Sequence, residues 1–352
     1  MERSELRGYT LAEITEFCAQ AGLKPFRGTQ VFQWIQKKGI HAWEEMKNIG
    51  EMDRKRLAEG GDIYPLEMLR ELRSKDGTRK YLFRLPDGET VECVLMDYER
   101  TRHRDRHTLC LSTQVGCAVG CSFCATGMSG FKRDLTPGEI VGQVLDVTRH
   151  LRLEDFEFQV TNLVFMGMGE PFLNYEAVMK AIKILNHEQG QNIGMRRMTI
   201  STSGIVPKIY QLAEDNPQVG LAVSLHSPDD EVRNHLVPIN RRYPLPELMQ
   251  ACRSYALKTH RRVTFEVALM ASTATEEFAW NLGELLKGQL GHVNLIPINP
   301  VQGTETARPS REQINKVAKV LEQAGIPVSI REEKGTDIEA ACGQLRRRWE
   351  CE

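Results

Sequence analysis

From residue 108 onward the chain alternates strand-like and helical runs, and this alternation constrains the fold more than any other feature. Strand-like runs fall at 108–113, 161–166, 196–201, 219–225, 262–269 and 292–298. Helical runs fall near 136–150, 174–188, 205–215, 244–258, 275–289 and 310–324. Strands separated by a helix pair in parallel, so six such units predict a parallel sheet, open or curled into a partial barrel. Pro327 to Arg331 predicts one more strand. Thr136-Pro137-Gly138-Glu139 marks a helix start with a capping residue, proline at the first helical position and glutamate at the third. Ser227-Pro228-Asp229-Asp230 repeats the device with aspartate. In parallel α/β architectures ligands sit at the carboxyl ends of the strands.

The first part of the chain reads differently. Thr10 precedes a helical pattern with Leu11, Ile14, Phe17 and Cys18; a second has Val31, Phe32, Trp34 and Ile35, with Gly39 as its stop. Next, Lys80-Tyr81-Leu82-Phe83-Arg84-Leu85 and Thr90-Val91-Glu92-Cys93-Val94-Leu95-Met96 flank Pro86-Asp87-Gly88-Glu89, a hairpin signal. The expected division is a helical accessory domain over 1–62, a β-hairpin connector over 63–107 and a core over 108–352, with the boundary at Gly61 to Pro65.

No apolar run approaches the length of a membrane span, and the early Glu2, Arg3, Glu5 and Arg7 exclude a secretory signal. Nine scattered cysteines predict a reducing cytoplasm over a disulfide framework. The net charge of −1 excludes a polycation. Basic clusters at Arg100, Arg102, Arg104 and Arg106, at Lys132-Arg133, Arg196-Arg197, Arg241-Arg242, Arg261-Arg262 and Arg346-Arg347-Arg348 permit an RNA partner, although each alone reads as a solvated face.

Three cysteines, Cys117, Cys121 and Cys124, follow the first strand of the alternating region in a Cys-x-x-x-Cys-x-x-Cys spacing, so they land on the ligand-binding rim. Three thiolates so close can hold three irons of a [4Fe-4S] cluster and leave the fourth iron open to a small molecule. Structural clusters and structural zinc sites are usually closed by four protein ligands. The competing reading is zinc with Cys110 as a fourth thiolate. It is weaker because zinc sites usually use two separated pairs, and no second pair is present.

Polar residues end consecutive strands on the same rim. The second strand runs into Gly167-Met168-Gly169-Glu170-Pro171, where glycines allow close backbone approach and Glu170 can accept hydrogen bonds from an ammonium group. Ser201 ends the third strand, Ser224-Leu225-His226 the fourth, and Asn299 follows the sixth. Singly, such residues are more often helix caps; together they predict a lined pocket. Cys342 sits among small neighbours in Ala340-Ala341-Cys342-Gly343-Gln344-Leu345, which leaves its thiol approachable.

The triplet spacing resembles that of radical S-adenosylmethionine (SAM) enzymes, and the whole ordered set resembles the RlmN family of RNA methyltransferases along nearly the full length. The resemblance implies a partial (β/α)6 radical SAM barrel with a small helical N-terminal accessory domain. It implies a [4Fe-4S] cluster on Cys117, Cys121 and Cys124, with SAM held by Gly169, Glu170, Ser201, Ser224, Leu225, His226 and Asn299. The implied activity is methylation of carbon 2 of adenosine, in 23S rRNA at the peptidyl-transferase centre and in tRNA next to the anticodon.

By the same resemblance Cys342 takes a methyl from one SAM, and a second SAM, so two per turnover, yields a 5′-deoxyadenosyl radical that removes hydrogen from it. The carbon radical adds to the base, tethering RNA to Cys342. Glu92 matches the family's proton acceptor. Cys110 matches its resolving cysteine, which frees the product through a transient disulfide. The implied partners are rRNA, tRNA and an electron donor such as flavodoxin or ferredoxin, with no membrane and a monomeric, cytoplasmic protein. Met270-Ala271-Ser272-Thr273-Ala274-Thr275 and Cys93 depart from the family pattern; Cys18 and Cys252 read as packing residues, and Cys351 has no role. Two alternatives stand beside this reading. One is a relative that methylates carbon 8 of the same rRNA adenosine and confers antibiotic resistance; Pro171 and the Ser203-Gly204 pair favour carbon 2. The other is a non-enzymatic, zinc-containing RNA-binding protein, which Cys342 argues against.

Overall fold

The structure, a computed structural model, describes residues 3–98, 106–215, 218–299 and 307–345. Arg100, Arg102, Arg104, Arg346 to Arg348, Pro300 and Cys351 lie outside the described residues.

One ten-stranded sheet organises the chain. Its strands are β1 (Glu67–Arg73), β2 (Arg79–Arg84), β3 (Thr90–Tyr98), β4 (Arg106–Cys110), β5 (Asn162–Phe165), β6 (Met198–Thr202), β7 (Gly220–Ser224), β8 (Val263–Leu269), β9 (Gly291–Pro297) and β10 (Val328–Ile330). They lie in chain order from one edge to the other. Strands β1 to β4 pair antiparallel and β4 to β10 pair parallel. The first and last strands do not pair, so the barrel is open.

The hairpin at Pro86-Asp87-Gly88 forms as expected, with Gly88 at φ +86°. Its outer strand continues into the barrel: Val94 pairs with Cys110 and Leu95 with Leu109. The region 63–107 is therefore built into the core sheet through β3.

Parallel pairing requires crossovers, and helices supply them: α4 (Pro137–Leu151), α5 (Tyr175–Asn186), α6 (Val206–Asp215), α7 (Leu245–Thr259), α8 (Glu276–Leu286) and α9 (Arg311–Gln323), after α1 (Leu11–Gln20), α2 (Phe26–Phe32) and α3 (Glu51–Gly60) in the N-terminal part. Thr136 caps α4 through its hydroxyl, Glu139 reaches back to the Thr136 amide at 2.9 Å, and Pro137 takes the first helical position. Strands β2, β3, β7 and β8 bury residues on both faces, whereas β5, β6 and β9 alternate buried and partly exposed positions.

Leu6, Ile14, Cys18, Val31, Phe32, Ile35 and Leu57 form a second, separate core in the N-terminal part. Cys252 is packed in the main core and Cys18 in this one. A buried ion pair joins them, beside the more exposed pairs Lys180–Glu13 and Arg149–Glu45. Arg7, 2% exposed, donates to both carboxylate oxygens of Asp146 on α4 at 2.7 and 2.9 Å. His41 and the Leu66 amide complete the shell around Asp146. Among the described residues no helix is long and apolar enough to cross a membrane.

Candidate active site

The cysteine triplet is shaped by glycines. Beyond β4, Gln114–Gly116 pairs with Phe131–Asp134 and returns the chain across the barrel mouth. Gly116 has φ +78°, and a Cβ there would stand 1.8 Å from the Gly130 oxygen. The Cys117 amide donates to that same oxygen at 3.0 Å. Cys124 opens a short helix, Ala125–Met128, and its amide turns back to the Cys121 oxygen at 3.2 Å. Burial pushes the Cys117 thiol up to about 12, and burial, then the charges of Cys124 and Cys117, raise the Cys121 thiol as well.

A cavity of about 790 Å³, its mouth included, opens above the strands. Cys117, Cys121, Cys124, Gly169, Glu170, Ser201, Ser224, His226 and Cys342 all line it. Gly169 has φ +105°, and a Cβ there would meet Gln114 at 2.6 Å, so only glycine allows the turn to close. Glu170 is buried, and burial raises its carboxyl group even though hydrogen bonds to the charged form oppose this. Its Oε2 accepts from the Ser203 amide and hydroxyl, both at 2.7 Å, and its Oε1 from the Phe172 amide at 3.0 Å. His226 adopts φ +60°; its Nδ1 accepts from the Ala268 amide, leaving the proton on Nε2. Burial and nearby Arg233 bring His226 down to about 3, so it is neutral. The Leu225 side chain is fully buried and does not line the cavity.

A second cavity, about 690 Å³, adjoins the first and shares Cys124, Met166, Gly167, Arg331 and Cys342 with it. Cys110 and Asn299 line this one, on the wall with Cys342. Burial, and then the charge of Cys342, push the Cys110 thiol up to about 12. The C-terminal segment is tied down on both sides. The Ala125 amide donates to the Gly343 oxygen at 2.8 Å and the Thr126 hydroxyl to the Leu345 oxygen at 2.6 Å. Across the segment, the turn between β1 and β2 holds it: Asp76 accepts from the Gly335 amide, and Ser74 donates to Asp337. None of the eight described cysteines is in a disulfide.

Glu92 is buried on β3 and lines neither cavity. Alternation puts it on the same sheet face as Val94 and Met96, which do line the second. Cys93 points to the opposite face, into the core. The departing segment Met270 to Thr275 reaches neither cavity.

Several residues of the site carry no mark in the sequence. Ser203 orients Glu170. Fully buried Arg233 donates to the carbonyls of Ser203, Ser224 and Leu225 and so ties the ends of β6 and β7 together. Glu266 and Arg331 both line the first cavity, and Arg331 lines the second with Cys342; burial raises Glu266 and the Arg331 charge opposes this.

The donor set fits a cluster better than a single ion. A lone tetrahedral zinc needs sulfurs about 3.8 Å apart, given Zn–S bonds near 2.3 Å. Among the described residues, the sole trio of ligand atoms within 4.8 Å of one another is Glu71, His150 and Glu154, so the three cysteine sulfurs are spread more widely.

A family model described as the Radical SAM superfamily matches residues 111–271, and one described as the Ribosomal RNA large subunit methyltransferase N-terminal domain matches residues 4–63. A protein of Desulfitobacterium hafniense (strain Y51), described as a probable dual-specificity RNA methyltransferase RlmN, is 63% identical over 352 residues, 100% of this chain and 99% of its own length. A protein of the same description from Heliobacterium modesticaldum is 50% identical, over 97% of this chain and 89% of its own. The crystal structure of a radical SAM methyltransferase from Sphaerobacter thermophilus superposes with a TM-score of 0.92 at 48% identity, over 97% of this chain and 99% of that one.

Proposed function

The chain belongs to the RlmN family of radical SAM RNA methyltransferases, and from that membership we propose that it methylates carbon 2 of adenosine in 23S rRNA and in tRNA next to the anticodon. The observation that carries this reading is the shared wall: Cys110 and Cys342 line one cavity, and Cys342 also lines the cavity of the cysteine triplet.

Carbon 2 of adenine lies between two ring nitrogens and is electron-poor, so it does not attack an electrophilic methyl group. A carbon radical can add there. Cys117, Cys121 and Cys124 would hold a [4Fe-4S] cluster, and Glu170, Ser201, Ser224 and the backbone at Gly169 would hold SAM. When bound, these groups supply the 5′-deoxyadenosyl radical that initiates chemistry, with two SAM molecules used per turnover.

The chain's own residues do the rest. Cys342 carries the methyl group on Sγ as a thioether and becomes the point of attachment to RNA. Glu92 accepts the proton that leaves carbon 2. Cys110 gives up its thiol proton and attacks Cys342 Sγ; the bond from sulfur to the base-bound carbon breaks, its electron pair passes to that carbon, which takes up a proton to complete the methyl group, and a disulfide remains. The sequence resemblance at Pro171 and around Ser203, which the carbon-8 relatives tend to lack, favours carbon 2 over carbon 8. We further assign a monomer, a cytoplasmic location, a flavodoxin- or ferredoxin-type electron donor, and a division of the chain into an accessory domain (1–62), a hairpin connector (63–107) and a catalytic core (108–352).

Nucleoside mass spectrometry tests the proposal. Protein reconstituted anaerobically is incubated with SAM, a reductant and separate unmodified tRNA and rRNA fragments. The expected product is 2-methyladenosine in both. 8-Methyladenosine would move the chain to the carbon-8 reaction, and SAM cleavage without methylated adenosine would remove the RNA assignment.

A further inference from the structure

One buried ammonium group touches two parts of the site that the chemistry must bring together. Lys80 on β2 is 7% exposed and Glu92 on β3 is 6% exposed. Their charged groups meet at 3.1 Å. The same Nζ donates to the Glu339 carbonyl at 3.1 Å, three residues before Cys342. In the hairpin register Lys80 opposes Val94 and Leu82 opposes Glu92, so Lys80, Glu92 and Val94 share one face. Glu339 is held at φ +52°, a left-handed backbone that turns its carbonyl toward this corner. A lysine is almost never fully buried without a charged or polar purpose, because its desolvation must be offset by partners.

We propose that Lys80 is a positioning residue of the methyl-transfer reaction: it keeps the Glu92 carboxylate ionised and aimed, and it pins the Cys342 segment to the same point. The inference rests on the reading of Glu92 as proton acceptor. Taking the ammonium away lets a buried carboxylate take up its proton more readily, since burial penalises the charged form and a nearby cation favours it. A protonated Glu92 has no capacity to accept the proton of carbon 2, and the tethered intermediate then waits. Lys80 lines neither cavity and therefore acts through Glu92.

Other titratable and charged groups among the described residues stand near this corner. Cys93 sits beside Glu92 on its own strand and faces the opposite side; burial raises its thiol, and the charges of Cys110, Glu92 and Asp146 add to this in that order. Cys110 of β4 shares the Glu92 face through its pairing with Val94. Cys342 comes from the C-terminal segment, and Arg331, Glu333 and Lys334 stand on the wall of the cavity that Cys110 and Cys342 share.

The test compares Lys80→Met, Lys80→Arg and Glu92→Gln in the full-length holoenzyme, scoring methylated nucleoside and protein–RNA adduct between pH 6 and pH 9. Thermal unfolding and SAM cleavage control for folding. Lys80→Gln, which keeps a donor for the Glu339 carbonyl and drops the charge, replaces Lys80→Met if that variant does not fold. The expected result for the uncharged variant is at least a tenfold loss at neutral pH with adduct accumulating, and an acid limb moved up by about one pH unit or more, since one unit corresponds to tenfold. Lys80→Arg restores the limb toward its wild-type position. A uniform loss at every pH without adduct, or wild-type turnover in the uncharged variant, overturns the role of Lys80. Full turnover in Glu92→Gln overturns instead the reading on which it rests.

Discussion

The amide of Ala125, next to the last cysteine of the triplet, donates to the carbonyl of Gly343, next to Cys342, at 2.8 Å. The two cysteine-bearing segments are thereby held backbone to backbone. Side-chain replacement at either cysteine leaves this contact in place, so single cysteine variants report on chemistry and not on misfolding.

Cys342→Ala is expected to abolish methylation while SAM cleavage continues. The thiol is partly exposed on the shared wall, and removing one sulfur leaves a small void in an already open cavity. Product nucleosides and 5′-deoxyadenosine, measured in the same reaction, check this. Full methylation in the variant would end the mechanism as written.

Cys110→Ala is expected to trap RNA on the protein, because the thiol that resolves the adduct is gone while Cys342 remains. A denaturing gel or intact-mass measurement shows a shifted, RNA-bearing species. Turnover with no adduct would remove Cys110 from its role.

Gly116→Ala is expected to lose the iron–sulfur cluster. A non-glycine residue in a left-handed conformation costs about 1–2 kcal/mol, and here the added Cβ would also overlap the Gly130 oxygen at 1.8 Å. The loop must move, and the Cys117 amide loses its partner at Gly130. Iron and sulfide analysis of reconstituted protein should show a clear deficit, with the fold otherwise retained by circular dichroism.

Asp146 should make stability fall in acid. Burial raises its carboxyl group, but the Arg7 charge and the hydrogen bonds from His41, Arg7 and Leu66 outweigh this, so the net shift is downward from 3.8. A depressed carboxylate contributes stability that is present above its unfolded-state value and lost as pH falls below it. Denaturant unfolding between pH 6 and pH 3 should show this acid limb below about pH 4, and Asp146→Asn should flatten it. Arg7→Leu takes the guanidinium from a buried carboxylate and leaves it His41 and the Leu66 amide, and its expected cost is about 3 kcal/mol at neutral pH. An unchanged unfolding midpoint in Arg7→Leu would show that the two cores hold together without this pair.

The regular part of the fold was legible because each element carries its own local signal. Thr136-Pro137-Gly138-Glu139 states a helix start whatever surrounds it, and Pro86-Asp87-Gly88 states a turn. The triplet, Glu170 and the serines at strand ends were legible for a related reason: strand polarity alone decides which loops share a rim. The pairing of Val94 with Cys110, which carries the hairpin into the barrel sheet, left no local mark. The same holds for Ser203 on Glu170, Arg233 across two strand ends, and Lys80 between Glu92 and Glu339. These contacts join distant stretches of chain, and no periodicity or cap encodes them.

The sheet takes its strands in the order in which they are made, so each new strand finds its partner in the one just completed. A ribosome can therefore release this barrel unit by unit, with little waiting for distant pieces. The exception is the stretch bearing Cys342, which follows the tenth strand and must travel back to the hairpin turn and the cysteine loop. A nascent chain can own the complete cysteine-triplet loop and still lack Cys342. Under the mechanism proposed above, assembly order would act as a safeguard: the sulfur that carries the methyl group would join the site only once the rest of the barrel is in place.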